Sequence, residues 1–230
     1  MTLKERYKKT FEYFTKNQPV VETELTYRSA FELVVAVILS AQCTDKRVNI
    51  ITPRLFEKFP DAESMANAEP SEIYELIKSC SYPNNKTKHL SGMARMLVDE
   101  FGGKVPSDIH QLRRLPGVGR KSANVIASVL FRKPVIAVDT HVFRVSQRIG
   151  LVRNSKTPAN TEIQLSANIP PEMMHNAHHW LILHGRYICK ARNPLCNKCG
   201  LTEFCKYYES KRKKSTEPVN SGRAGKSPEI

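Results

Sequence analysis

Leu115-Pro116-Gly117-Val118-Gly119-Arg120-Lys121-Ser122 joins two stretches with helical signals, residues 107–114 and 119–131. Proline ends the first helix, and two glycines allow positive φ and a close backbone approach. The helix that follows presents free backbone N–H groups at its start. Gly117, Gly119 and Arg120 are thereby arranged to receive a phosphate oxygen of a nucleic-acid backbone. A nucleotide-binding P-loop competes for this pattern but fails on spacing. Arg120 separates the glycine from Lys121, and no glycine stands five residues earlier. A plain helix–helix turn is the reading without a ligand. Lys121 falls in the first turn of the second helix, where the helix N-terminus and Arg120 both disfavour an ammonium. That points to an amine nucleophile, although such a lysine taken alone reads first as a phosphate contact.

Downstream lies the one strand-like run, residues 135–138, followed by Asp139, which is expected to N-cap a helix reaching about Gly150. A capping carboxylate is rigidly held and can still face a developing cation. His141 reads as structural. Upstream, Tyr7, Phe11 and Phe14 share one face of a first helix that stops before Pro19. Ser29 and Glu32 suggest a capping box opening an apolar helix through Gln42. A further helix follows Asp45 and is disturbed at Pro53; a short one runs from Pro70 to near Ser79. Residues 85–101 are amphipathic and halt at Gly102-Gly103, and Pro170-Pro171-Glu172 opens a last long helix carrying Trp180 to Tyr187. The pattern predicts an all-α chain.

Cys189, Cys196, Cys199 and Cys205 crowd into a C-x6-C-x2-C-x5-C run. Four thiolates in so short a loop can converge on one metal centre, and both zinc and a [4Fe-4S] cluster accept four cysteines. Cys43 and Cys80 stand apart in helical contexts and read as packing residues.

The 230 residues carry 36 Lys plus Arg against 22 Asp plus Glu, a formal charge of +14, which favours a polyanionic partner. No apolar stretch is long enough to span a bilayer, and no export signal is visible at the N-terminus. An intracellular location with reduced thiols is expected, which favours metal ligation over disulfides for the clustered cysteines. From about Ser210 the chain becomes basic and then Ser/Gly/Pro-rich, reading as a disordered tail over 210–230.

Three further segments bear on the whole: residues 136–145, residues 178–187, and Leu39-Ser40-Ala41-Gln42-Cys43-Thr44-Asp45. Together with the hairpin and the cysteine loop, they resemble the endonuclease III family of DNA glycosylases in the helix-hairpin-helix superfamily, over roughly residues 5–208. The resemblance implies two helical domains with double-stranded DNA in the cleft between them. One would be a six-helix block over 22–134 holding the helix-hairpin-helix at about 108–127. The other would combine 1–21 with 135–209.

It further implies a monomer whose four cysteines hold [4Fe-4S] and position a basic loop with Lys190 and Arg192. Lys121 would attack the sugar C1′ of an extruded, damaged base, oxidised pyrimidines foremost. Asp139 would stabilise the positive charge on the sugar or assist proton transfer, and β-elimination from the Schiff base would cut the strand 3′ to the abasic site. Gln42 matches the residue that fills the space the base vacates, and Tyr82 takes the wedge position where the family commonly has an aliphatic residue. A monofunctional adenine glycosylase is disfavoured by the lysine itself and by the lack of room for a further C-terminal domain. A non-catalytic DNA-binding module is disfavoured by the pairing of Lys121 with Asp139.

Overall fold

The computed structural model describes residues 1–18 and 20–216, with side chains through residue 213. Its α-helices run in order as α1 Leu3–Asn17, α2 Ala30–Ser40, α3 Asp45–Lys58, α4 Ala62–Ala66, α5 Pro70–Ile77 and α6 Pro83–Phe101. They continue with α7 Ile109–Arg114, α8 Arg120–Phe131, α9 Thr140–Ile149, α10 Pro158–Asn168, α11 Met174–Tyr187 and α12 Lys206–Thr216. No strand occurs among the described residues, and none of their helices is long and apolar enough to cross a membrane.

The buried apolar side chains separate into two cores. The first is built by α2 to α8, and α2 is its centre: every residue from 31 to 39 is buried. A helix that is apolar all round has no solvent face to offer, so neighbours must enclose it. Here α3, α6 and α8 do so. Seven helices occupy this stretch rather than six, the five-residue α4 being the addition.

The second core is discontinuous. Tyr7, Phe11 and Phe14 of α1 join residues 136–204, and the Phe14 ring stacks on Trp180 at 5.8 Å and 10°. Trp180 donates its indole N–H to the carbonyl of Gln18 at 2.7 Å, so the one polar atom on this large ring is satisfied. The N-terminal helix is thereby fastened to a partner about 160 residues away.

Several local expectations are corrected. The capping box is half formed: Ser29 Oγ accepts from Glu32 N at 3.1 Å, while the Glu32 carboxylate reaches back to the Arg28 N–H instead. α2 ends at Ser40, not Gln42, because Ser40 Oγ returns to the Val37 carbonyl and Gln42 turns left-handed at φ 53°. α3 continues through Pro53. Residues 135–138 are an extended strap and pair with no strand. Its carbonyls are satisfied sideways instead, Ile136 by Asn124 Nδ2 and Ala137 by His178 Nδ1.

The disordered tail does not begin at Ser210, since residues 210–216 complete α12. Good helix formers and a Glu209–Lys213 pair at 3.0 Å support that extension. The rest of the expected tail, 217–230, lies outside the described residues.

Candidate active site and nucleic-acid interface

A cavity of about 120 Å³ lies where the two cores meet. Ser40, Lys121 and Val125 line it from the first core, and Asp139, His178 and Leu183 from the second. Lys121 is exposed in the first turn of α8, whose N-cap Gly119 provides no side-chain bond. Asp139 is the N-cap of α9, and its Oδ1 accepts from the N–H groups of both His141 and Val142 at 2.8 Å. The strap at residues 136–138 is buried and delivers Asp139 to the cavity.

Behind these two groups sits a patch of neutral histidines that the sequence did not single out. His178 is buried and its Nδ1 meets the Ala137 carbonyl at 2.9 Å. A carbonyl only accepts, so Nδ1 carries the proton and Nε2 remains an acceptor. Burial, reinforced by the Lys121 charge, pushes His178 down to about 3. Burial and then the neighbouring His178 push His179 down to about 3 as well. The wall beside the lysine is thus kept uncharged.

Of the two hairpin glycines, which allow positive φ and a close backbone approach, one uses positive φ. Gly117 has φ +83°, and a Cβ there would meet His89 Cβ at 2.9 Å. Gly119 has φ −82° and open space around the position of a Cβ. Packing within the chain therefore explains Gly117 but not Gly119. Arg120 is half-exposed and forks onto Glu162 of α10, with nitrogen–oxygen distances of 3.0 to 3.3 Å. Glu162 also accepts from Asn124, so this pair fastens α8 to α10 across the two cores. No sequence spacing pointed to Glu162.

Gln42 and Tyr82 are brought side by side by tertiary structure. Both are exposed and left-handed, at φ 53° and φ 54°, conformations that cost a non-glycine residue energy. Ser81 Oγ donates to the Gln42 carbonyl at 2.6 Å and ties the two loops together. Near the same cavity, Arg186 of α11 joins Asp45 at 2.7 Å and also pairs with Glu24. This cross-core cluster was also missed. Arg186 lies inside one of the quoted segments, but nothing local to it signals a partner in α3.

Cys189, Cys196, Cys199 and Cys205 line one small apolar cavity of about 20 Å³. Among the described residues no group of three or more His, Cys, Asp or Glu is gathered closely enough to hold a single metal ion. Burial, with smaller contributions from the other three sulfurs, pushes the Cys199 thiol up to about 11. Burial likewise raises the Cys205 thiol, so these two half-buried sulfurs are poorly stabilised as thiolates without a positive centre beside them. Arg148 holds the start of the loop, donating to the carbonyls of Lys190 at 2.7 Å and Ala191 at 2.9 Å. Lys190 and Arg192 are exposed on that loop.

Residues 35–171 match the family model of the HhH-GPD superfamily base excision DNA repair proteins. Endonuclease III of Rickettsia felis is 47% identical over 88% of this chain and 94% of its own length. That of Bacillus subtilis is 44% identical over 85% and 90%. A solved structure of a trapped endonuclease III–DNA covalent intermediate superposes with a TM-score of 0.87 at 40% identity, covering 92% of this chain and all of that one. The chain belongs to the endonuclease III family within the HhH-GPD superfamily.

Proposed function

We propose that this chain excises damaged bases, oxidised pyrimidines foremost, from duplex DNA and then breaks the strand, with Lys121 as nucleophile and Asp139 as its charged partner. The observation that carries the residue roles is their convergence. They lie on different cores, yet both line one cavity. In this reading a damaged base is extruded toward the cavity. The Lys121 amine attacks the sugar C1′, and the bond to the base breaks with the electron pair leaving on the base. Both cap bonds of Asp139 fall on Oδ1, so Oδ2 is left to face the positive charge that develops on the sugar. The Schiff base between Lys121 and the opened sugar acidifies the adjacent C2′ position. Loss of that proton expels the 3′ phosphate, a β-elimination that cuts the strand.

Gln42 and Tyr82 are the residues that enter the duplex, Gln42 filling the vacated space and Tyr82 wedging between bases. Gly117, Gly119 and the N–H groups opening α8 receive a backbone phosphate, and the open space over Gly119 supports that role. Lys190 and Arg192 contact phosphates further along. Arg120 reaches a phosphate from a guanidinium oriented by Glu162.

The same reading makes the two cores two domains, 22–134 and 1–21 with 135–209, and assigns a [4Fe-4S] cluster to Cys189, Cys196, Cys199 and Cys205. When bound, the cluster supplies iron–sulfur bonds that hold the loop in place. The enzyme acts inside the cell, where its DNA lies.

Borohydride trapping on a duplex containing an abasic site tests the chemistry. The expected result is a covalent protein–DNA adduct that is absent for Lys121→Ala. Failure of the intact protein to form one would sink the lysine assignment and favour a non-catalytic clamp.

A further inference from the structure

Cys43 and Cys80 read from sequence as separate packing residues, but their sulfurs meet at 3.4 Å. They belong to the first core and are distinct from the four cysteines of the C-terminal loop. Cys43 directly follows Gln42, and Cys80 lies two residues before Tyr82. The pair therefore sits beneath the two left-handed residues and beside the Ser81–Gln42 bond that already ties their loops. Bridging would bring the sulfurs to about 2.05 Å, a closure of little more than an ångström.

The surroundings suit thiol exchange. Lys86 is buried below the pair and donates to the Leu39 carbonyl at 2.7 Å, to Ser81 Oγ at 3.4 Å and to Cys80 Sγ at 3.7 Å. Cys43 is half-buried and reachable, whereas Cys80 is buried. Burial raises the Cys80 thiol, while the Lys86 ammonium opposes that rise. The accessible member thus has a buried neighbour in contact, with a fixed cation beside it, as a resolving pair requires.

We propose that Cys43 and Cys80 form a reversible disulfide, made by exchange with a small-molecule disulfide of the glutathione type, that locks the Gln42 and Tyr82 loops together. The Cys43 thiolate attacks one sulfur of the small disulfide, whose S–S bond breaks to release a first thiolate. The Cys80 thiolate then attacks the Cys43 sulfur of the mixed disulfide and releases the second. Two protein thiols are oxidised and one small disulfide is reduced to two thiols, which take up the two protons the cysteines lost.

Formation of the bond depends only on the cysteines. Its effect on repair rests on the roles given above to Gln42 and Tyr82, because probes held at one separation cannot adjust as they enter the duplex. Misplacement of a positioning group by an ångström is costly, so incision is expected to slow by about tenfold or more.

The test treats the purified, cluster-loaded protein with glutathione disulfide while its visible absorption reports that the cluster stays intact. Expected results are a mass lower by two hydrogens, a Cys43–Cys80 link in the peptide map, slowed lesion incision, and full recovery with dithiothreitol. Cys43→Ser and Cys80→Ser are each expected to form no link and to keep their incision rate under the same treatment. An unchanged mass, or a stable glutathione adduct without the link, overturns the disulfide. A link that leaves incision unchanged overturns the locking. Gln42→Ala and Tyr82→Ala in reduced protein judge the probe roles separately, so the two failures are told apart.

Discussion

Helix α9 begins with Asp139 accepting two backbone N–H bonds at 2.8 Å, whereas α8 begins at Gly119 with no side-chain cap. Both helix starts face the same cavity, one bearing Asp139 and the other Lys121. At the start of α9 the carboxylate is immobilised by the helix it caps, so stability and position come from the same bonds. At the start of α8 the donors are left for something outside the chain, and the glycine ahead of them keeps the approach open. The difference teaches that a helix N-terminus can hold a catalytic group or receive a ligand, and that its first residue selects between the two.

The largest effect belongs to the uncapped helix. Lys121→Ala is expected to lower lesion incision by about 10³-fold or more in single-turnover assays, with duplex binding retained. At the capped helix, Asp139→Asn keeps a competent cap and is expected to lower incision by about 10²-fold while leaving the melting temperature nearly unchanged. Asp139→Ala loses the cap too, and chemical denaturation is expected to show a further loss of about 1–2 kcal/mol. Equal melting temperatures for the Asn and Ala variants would separate the cap from stability and break the comparison.

Next come the two hairpin glycines. Gly117→Ala is expected to destabilise the fold by about 1–3 kcal/mol, since its φ is +83° and the Cβ would press on His89. Gly119→Ala should leave stability within about 0.5 kcal/mol yet weaken duplex binding in a salt-dependent titration. Equal melting temperatures for the two variants would show that the asymmetry seen in the hairpin has no energetic weight.

The smallest effect near neutral pH is the titration of His178 and His179 on α11. His178 and His179 lie near 3 in the fold against an ordinary 6.5. Between those values the unfolded chain binds more protons than the folded one, so protonation favours unfolding. Their contribution to stability is therefore full above about pH 6.5 and is lost progressively as pH falls toward 3. Denaturation midpoints across that range check it, and His178→Gln should flatten the slope.

How much could be read in advance varied with the range of the interaction. α10 carries no periodic apolar signal, because only Thr161 and Leu165 of its eleven residues are buried. The C-terminal part of α12 reads as a tail because its basic composition resembles a solvated segment, although a Glu209–Lys213 pair supports the helix. Gln42 and Tyr82 were both named from sequence. Their adjacency is not legible there, since forty residues separate them and the packing of α2 against α6 and of α3 against α5 closes that gap.

By itself, the sequence determined the all-helical composition, the hairpin, the Asp139 cap and the grouping of four cysteines. Each is settled within a few residues, by backbone stereochemistry, apolar spacing or short loops between ligands. The tertiary structure alone decided that Lys121 and Asp139 share a cavity, that Arg120 is held by Glu162, that His178 and His179 are neutral, and that Cys43 touches Cys80. The first three depend on how the two cores dock, and the last on how distant loops of the first core pack. Docking brings together groups far apart in sequence and removes water from them, and neither effect leaves a mark on local spacing.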